Sequence, residues 1–226
     1  MEYVRKGRVY VVLALRLLFY IGGLLIFSMG ITTAINVQHL GIHPWDVLNV
    51  AMYDKLGLTI GSWTVIIGLI LIITSLILDK RYVKLGTFLN LFLVGIFVDF
   101  FLWADFLPSA HHTWVDVITI IFGIVLMGLG GGMYNAGGVG SGPRDGFMLS
   151  ISDKTGMSIG RVRILTESLV LVIGLLLGGP VFIFTFVFTF IQSPLFQFSY
   201  LRLSKVVETV KAYQVKNRSE QRVNQA

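Results

Sequence analysis

Two short segments of the chain each place a proline just before charged residues, an arrangement that suits the binding of a polar solute. In the first segment Asp46 follows Pro44, and in the second Arg144 and Asp145 follow Pro143. A proline presets the first turn of a helix, and a carboxylate in that turn lies near the positive end of the helix dipole. Each segment therefore predicts a short helix that begins with charged side chains.

The two segments are copies of each other, 99 residues apart. The residues that recur at this spacing are Asn36, Gly41, Pro44, Asp46, Gly57, Ile60 and Gly61. Identity at one offset, at polar and glycine positions of an apolar chain, indicates a tandem duplication. The predicted short helices cover about 46–55 and about 145–154, and each ends just before a glycine.

The composition predicts a membrane protein. Hydrophobic residues make up 55% of the 226 residues, charged residues make up 13%, and the mean hydropathy is +0.80. A soluble domain of this size exposes too much surface to hide so many apolar side chains. Residues 60–78 and 117–143 contain no charged side chain, and each run can cross a hydrocarbon core of about 30 Å as a helix.

The expected fold is all-α, a polytopic membrane helix bundle with six transmembrane helices. The predicted spans are Val9–Ile35, Ile60–Leu78, Leu85–Phe106, Trp114–Ala136, Ile159–Leu177 and Val181–Leu201. Lipid offers no partner for backbone amides, and the strands of a barrel would alternate polar residues, so helices are expected. We expect a single membrane domain over 1–226, with repeats at about 9–106 and 114–201. A basic tail over 204–226 is expected to rest on anionic lipid or extend into the cytoplasm.

The basic residues predict the orientation. With the N-terminus inside, 17 of the 18 lysines and arginines fall on the cytoplasmic side, and Lys55 alone falls outside. This distribution follows the positive-inside rule and predicts that both termini are cytoplasmic. Each repeat holds three spans, an odd number, so the second repeat enters the membrane from the opposite side. The repeats are therefore predicted to have inverted topology.

Inverted repeats favour one functional hypothesis, and a second stays open beside it. Such repeats are typical of transporters and channels, whose sites lie between the repeats near the midplane. The leading hypothesis is a small-solute transporter or channel. The alternative is a non-transporting accessory or regulatory protein that acts through a membrane-protein partner or a homo-oligomer. That protein would bind through glycine-rich helix faces, for example at Gly128 and Gly132.

Two placements of the repeated segments remain open. Each short helix is amphipathic enough to lie flat at the interface, with Val47 and Val50 on the apolar side of the first helix and Asn49 on the polar side. Alternatively, both helices are re-entrant and meet near the midplane, as in aquaporin-like channels. The residues that would then surround a solute pathway are Asn36, Asp46, Asn135, Arg144 and Asp145. Arg144 would favour a small polar or anionic solute.

Glu167 is a further candidate for the solute pathway, because it lies within the fifth predicted span. A carboxylate there is costly unless it is paired or hydrated. Arg163 lies one helical turn earlier and predicts a structural ion pair. The other interpretation is that Glu167 faces the bundle interior and relays a proton or cation. The equivalent residue of the first repeat is Gly68.

The remaining polar and aromatic residues give weaker signals. The four tryptophans, Trp45, Trp63, Trp103 and Trp114, are expected to form an interfacial belt. The four histidines, His39, His43, His111 and His112, are expected in solvated external loops, and no metal site is predicted from their spacing. Asn90, in the middle of a span, is expected to bond a neighbouring helix or to line a pathway.

Several function classes are excluded by what the sequence lacks. The glycines at 137–142 do not continue into a Walker A lysine, and no nucleophile elbow, kinase motif or paired catalytic carboxylates are present. The chain has no cysteine, which excludes thiol chemistry and disulfides. No enzyme activity and no cofactor are therefore expected. The net charge of +6 is spread over the inner face, so no nucleic-acid partner is expected.

The second repeated segment carries a family resemblance. A glycine-rich span leads into Gly140-Ser141-Gly142-Pro143-Arg144-Asp145-Gly146 and then Gly156-Met157-Ser158-Ile159-Gly160. This pattern resembles the YczE-like integral membrane proteins of bacteria, with kinship to the YitT group, over about 9–201. The resemblance implies a bacterial cytoplasmic membrane location and six helices. It implies no activity.

Overall fold

The structure is a computed structural model that describes residues 2–157 and 159–223. Over these residues the chain folds into eight α-helices. The helices are α1 (Glu2–Asn36), α2 (Pro44–Leu56), α3 (Ile60–Leu78), α4 (Leu85–Ala104), α5 (Trp114–Gly137), α6 (Pro143–Thr155), α7 (Ile159–Leu176) and α8 (Ile183–Val223). Short 3-10 helices at Gln38–Leu40 and Lys80–Tyr82 lie in two of the connections. The all-helical prediction is confirmed.

Four of the described helices are long and apolar enough to cross a membrane. They contain the segments Val12–Asn36, Ile60–Leu78, Leu85–Ala104 and Trp114–Gly137. The last two of the six predicted spans coincide with α7 and α8, which are not among these four helices. Helix α8 runs on to Val223, past the predicted end of the span at Leu201. Ser158 of the second repeated segment lies outside the described residues. So do the side chains of six residues counted for the orientation, Arg5, Lys6, Arg8, Lys216, Arg218 and Arg222.

The two predicted short helices, α2 and α6, are present and each has 13 residues. Both begin at the proline, two residues earlier than predicted, because a proline at the first helical position needs no N–H partner. Both end before a glycine with positive φ, Gly57 at 73° and Gly156 at 69°. The left-handed region suits glycine, and it closes both helices.

Helix α1 packs along α5 through pairs of glycines. A Cβ atom at Gly23 would lie 2.3 Å from the backbone nitrogen of Tyr134, and one at Gly30 would lie 2.7 Å from the carbonyl oxygen of Gly123. The two backbones therefore approach each other too closely for any side chain at these positions. Around this contact lies a core that includes Tyr20, Leu24, Ile120, Ile124 and Met127.

Helix α5 packs against α8 on another glycine face. A Cβ atom at Gly132 would lie 2.5 Å from the carbonyl oxygen of Phe196, and one at Gly128 would lie 2.7 Å from Cβ of Leu195. The Ser199 hydroxyl donates to the carbonyl oxygen of Leu129 at 2.8 Å. The glycines predicted to face a membrane partner are thus covered within the chain.

Each short helix packs mainly on a helix of the other half of the chain. Helix α2 packs mainly on α7, and α6 packs mainly on α3. Gly174 makes the first contact close, because a Cβ atom there would lie 2.9 Å from the Val47 side chain. Asn49, predicted on the polar side of α2, is buried between helices. Asn49 is 1% exposed, and its Nδ2 donates to Thr64 Oγ1 of α3 at 3.0 Å.

Candidate functional site

A cavity of about 80 Å³ lies where the first turns of α2 and α6 meet. Each of the eight described helices contributes to its wall. Its polar lining includes His43, Trp45, Asn90, Tyr134, Arg144, Asp145, Arg163, Glu167 and Gln192, and its apolar lining includes Phe27, Leu71, Leu91, Val94, Met148 and Phe196. Such a cavity, apolar with a few convergent polar groups, is the usual form of a small-molecule site.

Asp46 and Arg144 join the two short helices at the edge of this cavity. Arg144 Nη2 donates to Asp46 Oδ1 at 3.2 Å, and the Asp46 side chain is 2% exposed. The guanidinium of Arg144 also lies 5.3 Å from the centre of the Trp45 ring, within the range of a cation–π contact. Arg144 is therefore oriented by α2 while it belongs to α6.

Arg163 lies between two carboxylates of the second repeat. Its Nε is 3.3 Å from Glu167 Oε1, and its Nη2 is 3.9 Å from Asp145 Oδ1. The predicted pairing of Arg163 with Glu167 is therefore present. This ion pair is also part of the cavity wall, because both residues line the cavity and Glu167 is only 7% exposed. Gly68, at the equivalent position of the first repeat, lines the cavity as well.

Tyr134 and Asn90 lie close to Gly142 and Asp145 at the start of α6. The Tyr134 hydroxyl donates to Asp145 Oδ2 at 3.5 Å. A Cβ atom at Gly142 would lie 3.3 Å from both the Asn90 Oδ1 atom and the Tyr134 hydroxyl oxygen. The absence of a side chain at Gly142 therefore keeps this polar corner of the cavity open.

The interfacial prediction for Trp45 is wrong. Trp45 lies in the first turn of α2, is 3% exposed and lines the cavity. Its Nε1 has no hydrogen-bond partner among the described residues, although a buried indole N–H usually has one. Trp103 and Trp114, by contrast, are 82% and 73% exposed, as expected of residues at the surface of the bundle.

The solvated-loop prediction for His43 is also wrong. His43 is 7% exposed and packs edge-on against Phe188 at 5.8 Å. Its Nδ1 accepts a weak hydrogen bond from the Trp45 backbone N–H at 3.4 Å, which caps α2. Its Nε2 lies 3.9 Å from Glu167 Oε1. His43 therefore connects the start of α2 to α7.

Neither predicted asparagine lines the cavity itself. The Asn135 side chain nevertheless hydrogen-bonds to Asp145 and Tyr134, which do line it. Asn36 Nδ2 donates to the carbonyl oxygen of Pro108 at 3.1 Å and so ties the end of α1 to the loop before α5. Asn135 Nδ2 donates to the carbonyl oxygen of Gly131 within α5 at 2.9 Å. Of the six predicted pathway residues, Asp46 and Arg144 form one ion pair. Asp145 and Glu167 are joined to each other through Arg163.

The exposed end of α6 makes ionic contacts away from the cavity. Arg81, in the connection between α3 and α4, lies 3.1 Å from Asp153 of α6 and also pairs with Asp79. The hydrogen bonds from Arg81 hold the pKa of Asp79 below its ordinary value. These exposed contacts link the second end of α6 to the connection between α3 and α4.

The sequence predictions missed Tyr134 and Gln192 as well as Trp45 and His43. Tyr134 lies beside Asn135 within a glycine-rich run, a signal that could have marked it. Gln192 lies two residues before Pro194 in α8, and no comparable sequence pattern marks it as a site residue. Together the charged and apolar groups of the lining can hold a small solute that has a polar group.

Three curated proteins similar to this chain are described as uncharacterized, and one of them is described as a membrane protein. The chain is 37% identical over 170 residues to the uncharacterized membrane protein YczE of Bacillus subtilis, covering 75% of this chain and 78% of YczE. It is 34% identical to the uncharacterized protein YyaS of the same organism, covering 74% of this chain and 83% of YyaS. A protein of Haemophilus influenzae is 31% identical, with 68% of this chain and 69% of that protein covered.

No solved structure matches the chain significantly. A family description does match it, the family of unknown function DUF6198, over residues 14–202. This range includes all the residues that line the cavity. With the apolar helices and the membrane relative, it makes this chain a membrane protein that belongs to the DUF6198 family and is related to YczE.

Proposed function

We propose that this protein is a small-solute transporter or channel of the bacterial cytoplasmic membrane, with its site between two inverted repeats. The observation that carries the proposal is the meeting of the first turns of α2 and α6. Arg144 lies 3.2 Å from Asp46 beside a cavity of about 80 Å³. Transporters built from inverted repeats typically bind solute between the repeats.

The order of the helices supports two repeats of four helices, α1–α4 and α5–α8. In each set a long helix precedes a 13-residue helix, and two further helices follow. The start of the last helix is built alike in both sets. Thr87 Oγ1 accepts from the Lys84 N–H at 3.2 Å, and Thr185 Oγ1 accepts from the Phe182 N–H at 3.3 Å. Three spanning helices in each set would orient the sets oppositely.

The burial of α2 and α6 supports re-entrant helices and not helices that lie flat. In α2, Trp45 and Asp46 are buried at the start, while Lys55 is exposed at the end. In α6, Pro143 is buried at the start and Lys154 is exposed at the end. Irregular backbone at membrane depth is tolerated where protein covers it. Each helix therefore runs from the bundle interior towards one surface.

The proposed orientation places both termini in the cytoplasm. This orientation follows from the distribution of lysine and arginine, since all of them except Lys55, at the end of α2, then lie on the cytoplasmic side. The end of α6, with Lys154, then faces the cytoplasm. The two short helices enter from opposite faces.

The solute that suits the cavity is small and polar, and it accepts hydrogen bonds. Arg144 and Arg163 line the cavity, and Trp45 Nε1 is a donor without a partner among the described groups. Three nearby carboxylates, Asp46, Asp145 and Glu167, offset the guanidinium charges, so a bound solute need not be strongly charged. The apolar wall suits a short hydrocarbon part.

The accessory hypothesis is less well supported. It expects glycine faces that are open to a partner, yet Gly128 and Gly132 pack against α8, and Gly23 and Gly30 pack against α5. These faces are therefore already occupied. The polar cavity has no role in that hypothesis.

Proteoliposome swelling tests the proposal. Vesicles with the purified protein and empty vesicles are exposed to gradients of glycerol, urea, glycine, acetate and phosphate in a stopped-flow instrument. We expect faster entry of at least one solute with the protein, and loss of that gain in Asp145→Asn and Arg144→Ala. Lys154→Ala, at an exposed end of α6, is the control and should retain it. Equal rates in all vesicles, with a folded protein, would contradict the proposal.

A further inference from the structure

We infer that His39, His112 and Asp116 form a binding site for a transition-metal ion such as Zn²⁺. His39 lies in the 3-10 helix between α1 and α2, His112 in the loop between α4 and α5, and Asp116 in the first turn of α5. One ligand atom from each residue lies within 4.8 Å of the other two. Two imidazoles and a carboxylate are a common set of zinc ligands.

The distances suit a tetrahedral ion after a small adjustment. Bonds of about 2.0–2.1 Å place neighbouring ligand atoms roughly 3.3 Å apart in a tetrahedral site. His39 Nε2 is already 3.1 Å from Asp116 Oδ2. The imidazole rings of His39 and His112 have centroids 4.6 Å apart. Both histidines are exposed, so rotation of their side chains can close the remaining distance.

The carboxylate is held in place by the loop around it. Asp116 is fully buried, its Oδ1 accepts from the His111 backbone N–H at 2.9 Å, and its Oδ2 accepts from the His112 backbone N–H at 2.8 Å. Hydrogen bonds of this kind orient metal ligands and raise the affinity of a site. The exposed imidazoles leave a fourth position open to water.

A simpler interpretation explains only part of this arrangement. A hydrogen bond between His39 and Asp116 would hold the two connections together without a metal. That bond does not need the His112 imidazole, which lies beside the His39 ring. The role of His112 therefore distinguishes a metal site from a hydrogen bond alone.

The site would tie together two connections that also meet elsewhere. Asn36 Nδ2 donates to the carbonyl oxygen of Pro108 across the same gap, at 3.1 Å. His39 lies four residues before His43, which lines the cavity. A bound ion would thus stiffen the segment that leads into α2. The site does not depend on the proposed transport function.

Calorimetric titration of the full-length protein with Zn²⁺ tests the inference. The protein is purified in detergent without a polyhistidine tag and stripped of metal with a chelator. We expect one ion per chain, and affinity lower by at least about tenfold in His39→Ala and in His112→Ala, since even outer-shell changes cost that much. His111→Ala, an exposed neighbour outside the cluster, is the matched control and should bind like the wild type.

Thermal unfolding provides a second readout. Zn²⁺ should raise the Tm of the wild type and of His111→Ala, because an ion that binds the folded state stabilises it. It should not raise the Tm of His112→Ala. Wild-type affinity in His112→Ala, or no saturable binding by the wild type, would overturn the metal site. Asp116→Asn is avoided, because Asp116 also holds the loop.

Discussion

Arg144 at the start of α6 lies 3.2 Å from Asp46 at the start of α2, 98 residues earlier in the chain. Asp46 is the repeat equivalent of Asp145, the residue next to Arg144. The contact therefore joins corresponding ends of the two repeated segments. It also holds the guanidinium over Trp45, at the edge of the cavity.

The Asp46–Arg144 contact should be important for stability. Arg144→Ala leaves a carboxylate that is 2% exposed without its cation, and breaking a buried pair in this way typically costs about 3–5 kcal/mol. We expect a loss of this size in the free energy of unfolding, measured by reversible denaturation in mixed micelles. The double variant Asp46→Asn/Arg144→Ala should recover part of it, because the unpaired charge is gone.

An exposed ion pair supplies the control for this measurement. Arg81, whose side chain is 73% exposed, pairs with Asp79 and Asp153. Exposed pairs contribute about 0–1 kcal/mol, so Arg81→Ala should have little effect. Equal losses in Arg81→Ala and Arg144→Ala would show that the buried pair has no special role.

Two adjacent glycines of α1 should respond differently to alanine. At Gly23 a Cβ atom would lie 2.3 Å from the Tyr134 backbone nitrogen, whereas at Gly22 its nearest contact is the flexible end of Met133 at 3.2 Å. Gly23→Ala must push α1 from α5, and overpacking of this kind costs about 1–3 kcal/mol or more. Gly22→Ala should be nearly neutral. The Tm in detergent of the two variants checks this, and equal values would contradict the close packing of α1 on α5.

Trp45 should contribute to solute binding through its indole N–H. Trp45→Phe removes a buried donor that has no partner among the described residues, and one hydrogen bond contributes about 0.5–1.5 kcal/mol. We expect the half-saturating concentration of the transported solute to rise by up to about tenfold, with the Tm little changed. Trp103→Phe, at a tryptophan that is 82% exposed, is the control. A rise of the same size in that variant would contradict a direct role.

The local features of the fold were predictable from the sequence. Pro44 and Gly57 bound α2, and Pro143 and Gly156 bound α6, because these residues start and stop helices through their own backbone preferences. The pairing of Arg163 with Glu167 was also predictable, since it joins residues one helical turn apart. Such signals need no knowledge of tertiary structure.

The burial of the first repeated segment was not predictable in the same way. Hydropathy does not distinguish a polar residue in a solvated loop from one buried against other helices. His43, Trp45 and Asn49 are all buried because α2 packs on α3 and α7, and those contacts come from distant parts of the chain. The meeting of His39 with Asp116 depends likewise on two separate connections.

Helix α8 extends past the predicted span, a continuation that the apolar pattern does not show. The apolar pattern ends near Leu201, and the polar residues from Ser204 onwards were expected to form a tail outside the membrane. The helix nevertheless continues to Val223, with Pro194 inside it. Charged residues end a predicted span, but they do not end a helix, because they are good helix formers.

The most direct test of the central claim compares two equivalent lysines. Lys55 and Lys154 are 99 residues apart and lie exposed at the ends of α2 and α6. Because the chain contains no cysteine, Lys55→Cys and Lys154→Cys each introduce a single thiol, which a membrane-impermeant reagent labels in intact cells or in inside-out vesicles. Inverted repeats predict that Lys55→Cys reacts only from outside and Lys154→Cys only from the cytoplasmic side. Labelling of both from the same side would contradict the inverted architecture and the proposed transport site.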